Sequence, residues 1–300
     1  MSFNVDLHSY GWLTFERSRF ELPGISYRGP RTLQRLADQC HAVNLAVTAF
    51  TNFGDRRYEQ LRDTALQLPS DYAFTDLLED GQSIALRVTP PGKSPVFILR
   101  GQQVLTKEGN LTTVGAPRQL RDGLTLEDSI KEAKDTGALV IAVNPHTRQG
   151  AGGEVTPGLE AYTKSIGTAT LVRTLDRFAG FYDAVQIFSA SSWPRSFSDL
   201  LHYGRVNAKA ETYAEQYNLP GIAVSEAHAP HHMGLAYITI PRLATKDARS
   251  LLESIRSNLA TRNFTLTTNA VSRLGMARCL AADIWNHISV DRGWLQIRRD

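Results

Sequence analysis

Asn4-Val5-Asp6-Leu7-His8-Ser9-Tyr10 is a short apolar run that closes on an acid and a histidine. Near the other end of the chain, Gly221-Ile222-Ala223-Val224-Ser225-Glu226-Ala227-His228 closes the same way. Two strands far apart in sequence that deliver the same chemistry at the same end fit a barrel of parallel strands. Such a barrel builds metal and phosphate sites at its C-terminal mouth.

The stretch between them alternates short apolar runs with helical patterns. Over 32–41, Leu33, Leu36, Ala37 and Cys40 share one helical face, and the helix leads into a buried strand over 45–50. Strands over 84–88 and 96–99 flank the turn Pro90-Pro91-Gly92-Lys93. Val104-Leu105 and 111–114 flank Lys107-Glu108-Gly109-Asn110, a hairpin signal. Thr125 caps a helix that runs to Lys134 and ends at Gly137, with Asp128 in the capping-box position. Buried strands follow over 138–143 and 184–188, and a helix over 207–216 feeds the Ile222 strand. Buried strands spaced by helices imply a parallel sheet. Gly150, Gly152, Gly153, Pro157 and Gly158 mark a loop with little to pack. From Thr245 the pattern turns helical, with stripes at Ala248, Leu251, Leu252, Ile255 and at Val271, Leu274, Ala277, Leu280, Ala281, Ile284. Both stripes read as core packing against the barrel. The expected division is a barrel over 1–240 and a C-terminal helical segment over 241–300 packed on it.

Three hundred residues suffice for one α/β barrel, and 42% hydrophobic content supplies its core. A net charge of +3 with scattered Lys and Arg gives nucleic acid only weak support as a partner. Cys40 and Cys279, in helix-like apolar contexts, read as buried free thiols, so a cytoplasmic location is expected. No apolar run is long enough to cross a bilayer, and no secretion signal is read, so the sequons at Asn110 and Asn263 are discounted. Walker A loops, dinucleotide fingerprints, Cys-x-x-Cys and His-Glu-x-x-His are all absent, and Ser225 lacks a nucleophile elbow.

Six fragments, in order, resemble the polymerase and histidinol phosphatase (PHP) family over roughly 1–240. Asp6-Leu7-His8-Ser9-Tyr10 is similar to its opening Asp-Leu-His-x-His, and Ala46-Val47-Thr48-Ala49-Phe50-Thr51 to its Thr-Asp-His-Asp strand end. Arg100-Gly101-Gln102-Gln103-Val104 resembles Gly-x-Glu-Val, and Val143-Asn144-Pro145-His146 resembles the His-Pro step. Ala184-Val185-Gln186-Ile187-Phe188 resembles Val-Glu-Ile-Phe, and Ser225-Glu226-Ala227-His228 resembles Ser-Asp-Ala-His. The resemblance implies a distorted seven-stranded (β/α) barrel. It implies hydrolysis of phosphate esters by a metal cluster only if the ligands survive.

Most do not. His8 and Asp6 remain, but the second histidine is Tyr10, the Asp-His pair is Ala49 and Phe50, and Gln103, Asn144 and Gln186 stand where Glu, His and Glu would. Glu226 and His228 keep the last acid and histidine. A dication cluster needs anionic oxygens and imidazoles, both to neutralise charge and to replace hydration. Amides at those positions can hydrogen-bond each other and the remaining histidines without the repulsion that unneutralised carboxylates would suffer.

The expectation is therefore a pseudoenzyme: a PHP-like barrel without cluster chemistry, holding no cofactor and acting as a structural, regulatory or ligand-binding subunit. Its partner would be a protein or a small phosphate-containing ligand. The expected pocket is Tyr10, Phe50, Gln103, Asn144, His146, Gln186 and Trp193. The alternative is a phosphoesterase or nucleotide hydrolase with one zinc, manganese or iron on His8, Glu226 and His228. Asp6 or His146 would then be its fourth ligand or base. Two features stay open. His228-Ala229-Pro230-His231-His232 is either a rebuilt metal or phosphate site or a polar loop, and Ser189-Ala190-Ser191-Ser192-Trp193 is either a neutral cradle or a turn.

Overall fold

Among the described residues one eleven-stranded sheet carries the fold. The computed structural model describes residues 2–9, 33–51, 56–143, 177–190, 208, 210–227 and 232–270. In chain order these give β1 (Phe3–Ser9), α1 (Leu33–Ala42), β2 (Val47–Phe50), α2 (Arg56–Asp63), β3 (Ala73–Glu79) and β4 (Gln82–Thr89). Next come β5 (Val96–Thr106), β6 (Gly109–Val114), α3 (Leu126–Asp135), β7 (Leu139–Ala142) and β8 (Ala184–Ser189). The chain continues through β9 (Gly221–Val224), β10 (Ala236–Ile240), α4 (Ala248–Ala260) and β11 (Thr265–Thr268).

Seven of the strands curl in the order β1-β2-β5-β6-β7-β8-β9 and nearly close. A parallel bridge from Ser9 to Ala227 spans the seam between β1 and β9. Pairing along this path is parallel except at β6, which runs antiparallel to both neighbours. The turn at Lys107 and Glu108 forces that reversal, as a tight hairpin must. Below the bridge, β10 pairs antiparallel with the first residues of β1, and β11 pairs with β10.

The interior follows from strand alternation. Val5 and Leu7, Val47 and Ala49, Phe97 and Leu99, Leu139 and Ile141, and Ile222 and Val224 fill it. The apolar stripe of α4, Leu251, Leu252, Ile255 and Leu259, packs into the same cluster. Arg256 of α4 donates to Gly137 O at 2.7 Å, just before β7, so the helix covers the end opposite the strand C-termini. The outward face of β2 and β5 meets α1 through Leu33, Leu36, Cys40, Phe50 and Ile98. Cys40 is a buried free thiol. Cys279 lies outside the described residues.

Most predicted elements recur within a residue or two. Thr125 accepts from Asp128 N as the N-cap of α3. Three elements went unread, α2, β3 and β10, and one reading is corrected. β3 went unread because its exposed, mixed Ala-Phe-Thr-Asp-Leu-Leu-Glu has no clean alternation. The helical reading from Thr245 holds for α4, but 265–268 is a strand; Thr-Leu-Thr-Thr is β-branched and polar, and Leu266 is half-exposed. The glycine loop over 150–158, the stripe from Val271 to Ile284, and residues 1 and 271–300 lie outside the described residues. Among the described residues no helix is long and apolar enough to cross a membrane.

Candidate functional site

The C-terminal end of β1 carries Asp6 and His8, both fully buried. Regular alternation would aim them at one face. Instead Asp6 pairs with Thr48 and Ser9 with Phe50, so two residues of β1 oppose one of β2. Such a bulge re-aims the side chains beyond it. Asp6 keeps the outward direction opposite Val5 and Leu7. It accepts from Ser225 N at 3.1 Å and His8 N at 3.2 Å, and from the Ser225 hydroxyl. Its charge is felt by Cys40 of α1, whose thiol is pushed well up, first by burial and then by Asp6. His8 turns to β8, where Nδ1 lies 2.8 Å from Gln186 Oε1.

A second bulge serves β8. Gln186 and Ser189 are three residues apart, a spacing that a regular strand would send to opposite faces. The register shift between Gln186 and Phe188 brings both to Glu226. Gln186 Nε2 donates to Glu226 Oε2 at 3.3 Å, and the Ser189 hydroxyl donates to the same oxygen. Because the Gln186 amino group is directed at Glu226, its carbonyl faces His8. His8 Nδ1 therefore carries the proton, and the lone pair sits on Nε2. Glu226 has a left-handed backbone, φ 46°. That turn lets Ser225 and Glu226, adjacent in sequence, serve two separate groups: Asp6 outside the barrel wall and the His8–Gln186 pair inside it.

Burial decides the charge states. It pushes the Asp6 carboxyl up to about 7, with Glu226 adding and the Ser225 bonds opposing. Burial also lowers His8, against the pull of Glu226 and Gln186, so its imidazole is neutral at pH 7.

Among the expected pocket residues, Gln186 joins His8 and Glu226 directly. Gln103 is buried on β5 opposite Thr112 of β6. Phe50 is placed elsewhere, in the outer cluster with α1, because it alternates with the inward Ala49. Tyr10, Asn144, His146, Trp193 and His228 lie outside the described residues, as does His231, while His232 is buried. Sequence reasoning saw Ser189 only as part of a cradle and Ser225 only as a rejected nucleophile. Their partners depend on a bulge and a left-handed turn that no local pattern announces.

A metal cluster does not fit the described donors. No three His, Cys, Asp or Glu side chains come together among them. His8 and Glu226 are two donors with an amide between them, and Asp6 is committed to Ser225. Of the three ligands expected for a single ion, His8 and Glu226 are described and His228 lies outside the described residues.

A profile of the family described as PHP-associated matches residues 204–258. That match covers a stretch running from before β9 into α4. The chain is also similar in structure to PsfC from Pseudomonas syringae, at 14% identity and TM-score 0.49, covering 96% of this chain and 98% of that one. A two-domain protein containing a predicted PHP-like metal-dependent phosphoesterase, from Bacteroides vulgatus, aligns at 12% identity and TM-score 0.48, over 94% of this chain and 70% of that one. The lesion-specific endonuclease PfuEndoQ from Pyrococcus furiosus aligns at 13% identity and TM-score 0.47, over 91% of this chain; the chain spans 60% of that endonuclease. No curated protein matches the sequence.

Proposed function

We propose that this chain is a PHP-like barrel that has given up metal-cluster phosphoester hydrolysis and serves as a ligand-binding or regulatory subunit. The observation that carries the reading is Gln186. An amide, not a carboxylate, bridges the surviving imidazole and the surviving acid, accepting from His8 and donating to Glu226. A bridging carboxylate could not donate to Glu226, and without a metal two carboxylates at that distance would repel. The barrel proper is 1–240, with 241–300 packed on it, in the reducing cytoplasm that a buried free Cys40 suits. Its partner is a protein or a small phosphate-containing ligand at the mouth.

Metal analysis of the untreated protein, with phosphomonoester and phosphodiester assays in manganese, zinc or iron, tests this. No stoichiometric metal and at most trace turnover are expected. Stoichiometric metal with turnover abolished in both His8→Ala and His228→Ala would replace the proposal with a single-metal hydrolase.

A further inference from the structure

Ser225, Glu226 and Ala227 follow one another at the end of β9 and serve different neighbours on the two sides of the barrel wall. Ser225 reaches outward, giving its amide to Asp6 Oδ1 at 3.1 Å and its hydroxyl to Oδ2. Glu226 reaches inward, where its Oε2 accepts from Gln186 at 3.3 Å and from Ser189. Ala227 is outside again. It bridges Ser9 across the seam and packs in the cluster that holds Leu36, Ala37 and Cys40 of α1. All three residues are buried.

The alternation depends on the backbone of Glu226, whose φ of 46° crowds any residue that has a Cβ. The other non-glycine residues with positive φ among those described are Asn44, Asp80, Asn218 and Arg262. All four are exposed, and three are Asn or Asp, whose short polar side chains tolerate this conformation. Glu226 alone is buried. A conformation of this kind persists only where the surroundings over-determine it. Here they are the Glu226 amide on His8 O at 2.8 Å and the two donors to its carboxylate. The outer contacts of Ser225 and Ala227 thus depend on a side chain held from the inside.

We infer that Ser225-Glu226-Ala227 is a conformational relay through the barrel wall: a ligand at the mouth that draws the Glu226 carboxylate away from Gln186 and Ser189 releases the left-handed turn, parts Ser225 from Asp6, and loosens α1 on the far side. The relay rests on the reading of the mouth as a ligand site and names its output, the seating of α1. A side chain with two arrangements, each favoured by a different partner, is what a coupling of this kind needs. Cys40 is its built-in reporter. The thiol is wholly buried in the same cluster as Ala227. Burial first and Asp6 second push its titration well up, so that loosening α1 exposes the thiol and makes it more reactive as well.

Glu226→Ala and Glu226→Gly test it in the full chain, with Cys279→Ser added so that Cys40 is the only thiol. Both variants lose the same carboxylate. Alanine must then hold the left-handed turn against a steric cost that glycine avoids. Labelling of Cys40 by a thiol reagent in native buffer should be about tenfold faster in Glu226→Ala than in Glu226→Gly. Amide exchange should speed up in α1 and stay slow in α3, which packs in a separate cluster. Ser189→Ala keeps the carboxylate and removes one donor to it, so it should show the same pattern at smaller size, and it carries the test if Glu226→Ala does not fold. Equal labelling of the alanine and glycine variants overturns the relay, because the turn would then play no part. Loss of protection in α1 and α3 together overturns it too, because the change would be global unfolding. No ligand enters the experiment, so either failure leaves the reading of the mouth standing, whereas metal-dependent turnover would remove that reading without touching these rates.

Discussion

The backbone amide of Glu226 donates to the carbonyl of His8 at 2.8 Å, and the side chains of the same two residues are joined again through Gln186. The polar cluster and the seam of the barrel are thus one structure. Anything that disturbs the cluster acts on the closure between β1 and β9.

Ser189 should therefore matter to folding although it sits at a strand end. Its hydroxyl donates to a buried carboxylate, and such bonds contribute about 1.5–3 kcal/mol. Ser189→Ala should lose that much in urea unfolding. In a Glu226→Gln background the loss should be smaller, with a coupling of at least about 0.5 kcal/mol. Additive losses would mean that the two side chains do not work together.

The barrel was legible in sequence because its interior residues alternate cleanly and its acids and histidines fall at strand ends. Val5, Leu7, Ile222 and Val224 are an instance: their period of two reveals the inner face. What was not legible is where alternation breaks. Asp6 and His8 are two residues apart, so sequence pairs them, whereas a bulge parts them. Gln186 and Ser189 are three apart, so sequence separates them, whereas a bulge unites them. Phe50 read as a mouth residue because the resemblance placed it there, and the one-residue phase of β2 turns it outward to α1. The strands β3 and β11 are exposed, so neither carries the apolar rhythm that marks a buried element.

Gly101 sets how closely β2 and β5 approach beneath the site. A Cβ there would meet Thr51 Cγ2 at 2.6 Å and the carbonyls of Phe50 and Thr113 at 3.2 Å. Gly101→Ala should cost about 1–3 kcal/mol by overpacking. Thr51→Ser removes the offending methyl and keeps the hydroxyl that donates to Ser9 O. The double variant should recover much of the loss in thermal or urea unfolding; no recovery would place the strain at the two carbonyls.

Stability should depend on pH in two opposed ways. Asp6 titrates near 3.8 when unfolded and at about 7 when folded, so between these values the folded form holds a proton that the unfolded form has released. Stability from Asp6 is full below the unfolded value and falls as pH rises to about 7, by up to about 4 kcal/mol. His8 is lowered from 6.5 on folding, so its contribution falls as pH drops below 6.5. Asp6→Asn should leave a stability that rises with pH over this range. His8→Asn should leave one that falls with pH. Parallel pH profiles for the two variants would contradict both assignments.

The sharpest test of the amide bridge is Gln186→Glu. The substitution keeps the shape and replaces a donor by a second acid against Glu226 Oε2, where Gln186 Nε2 now stands at 3.3 Å. Two carboxylates about 4 Å apart repel by about 4 kcal/mol at an effective dielectric near 20, before protonation relieves them. Crowding raises their shared folded-state titration above the unfolded range, so the folded form retains a proton. The loss of stability should therefore grow as pH rises from the unfolded carboxylate range through the raised folded one, then level off. His8 should gain from the same change, since a second negative charge favours its protonated form and offsets part of the repulsion. With two acids and an imidazole restored, manganese or zinc should bind the folded form and return part of the stability in proportion to its concentration. The measurement is a melting temperature in chelator and in metal, at two pH values either side of the carboxylate range. A variant that melts like the parent in chelator, with no response to metal, would show that Gln186 is not standing in for a lost metal ligand.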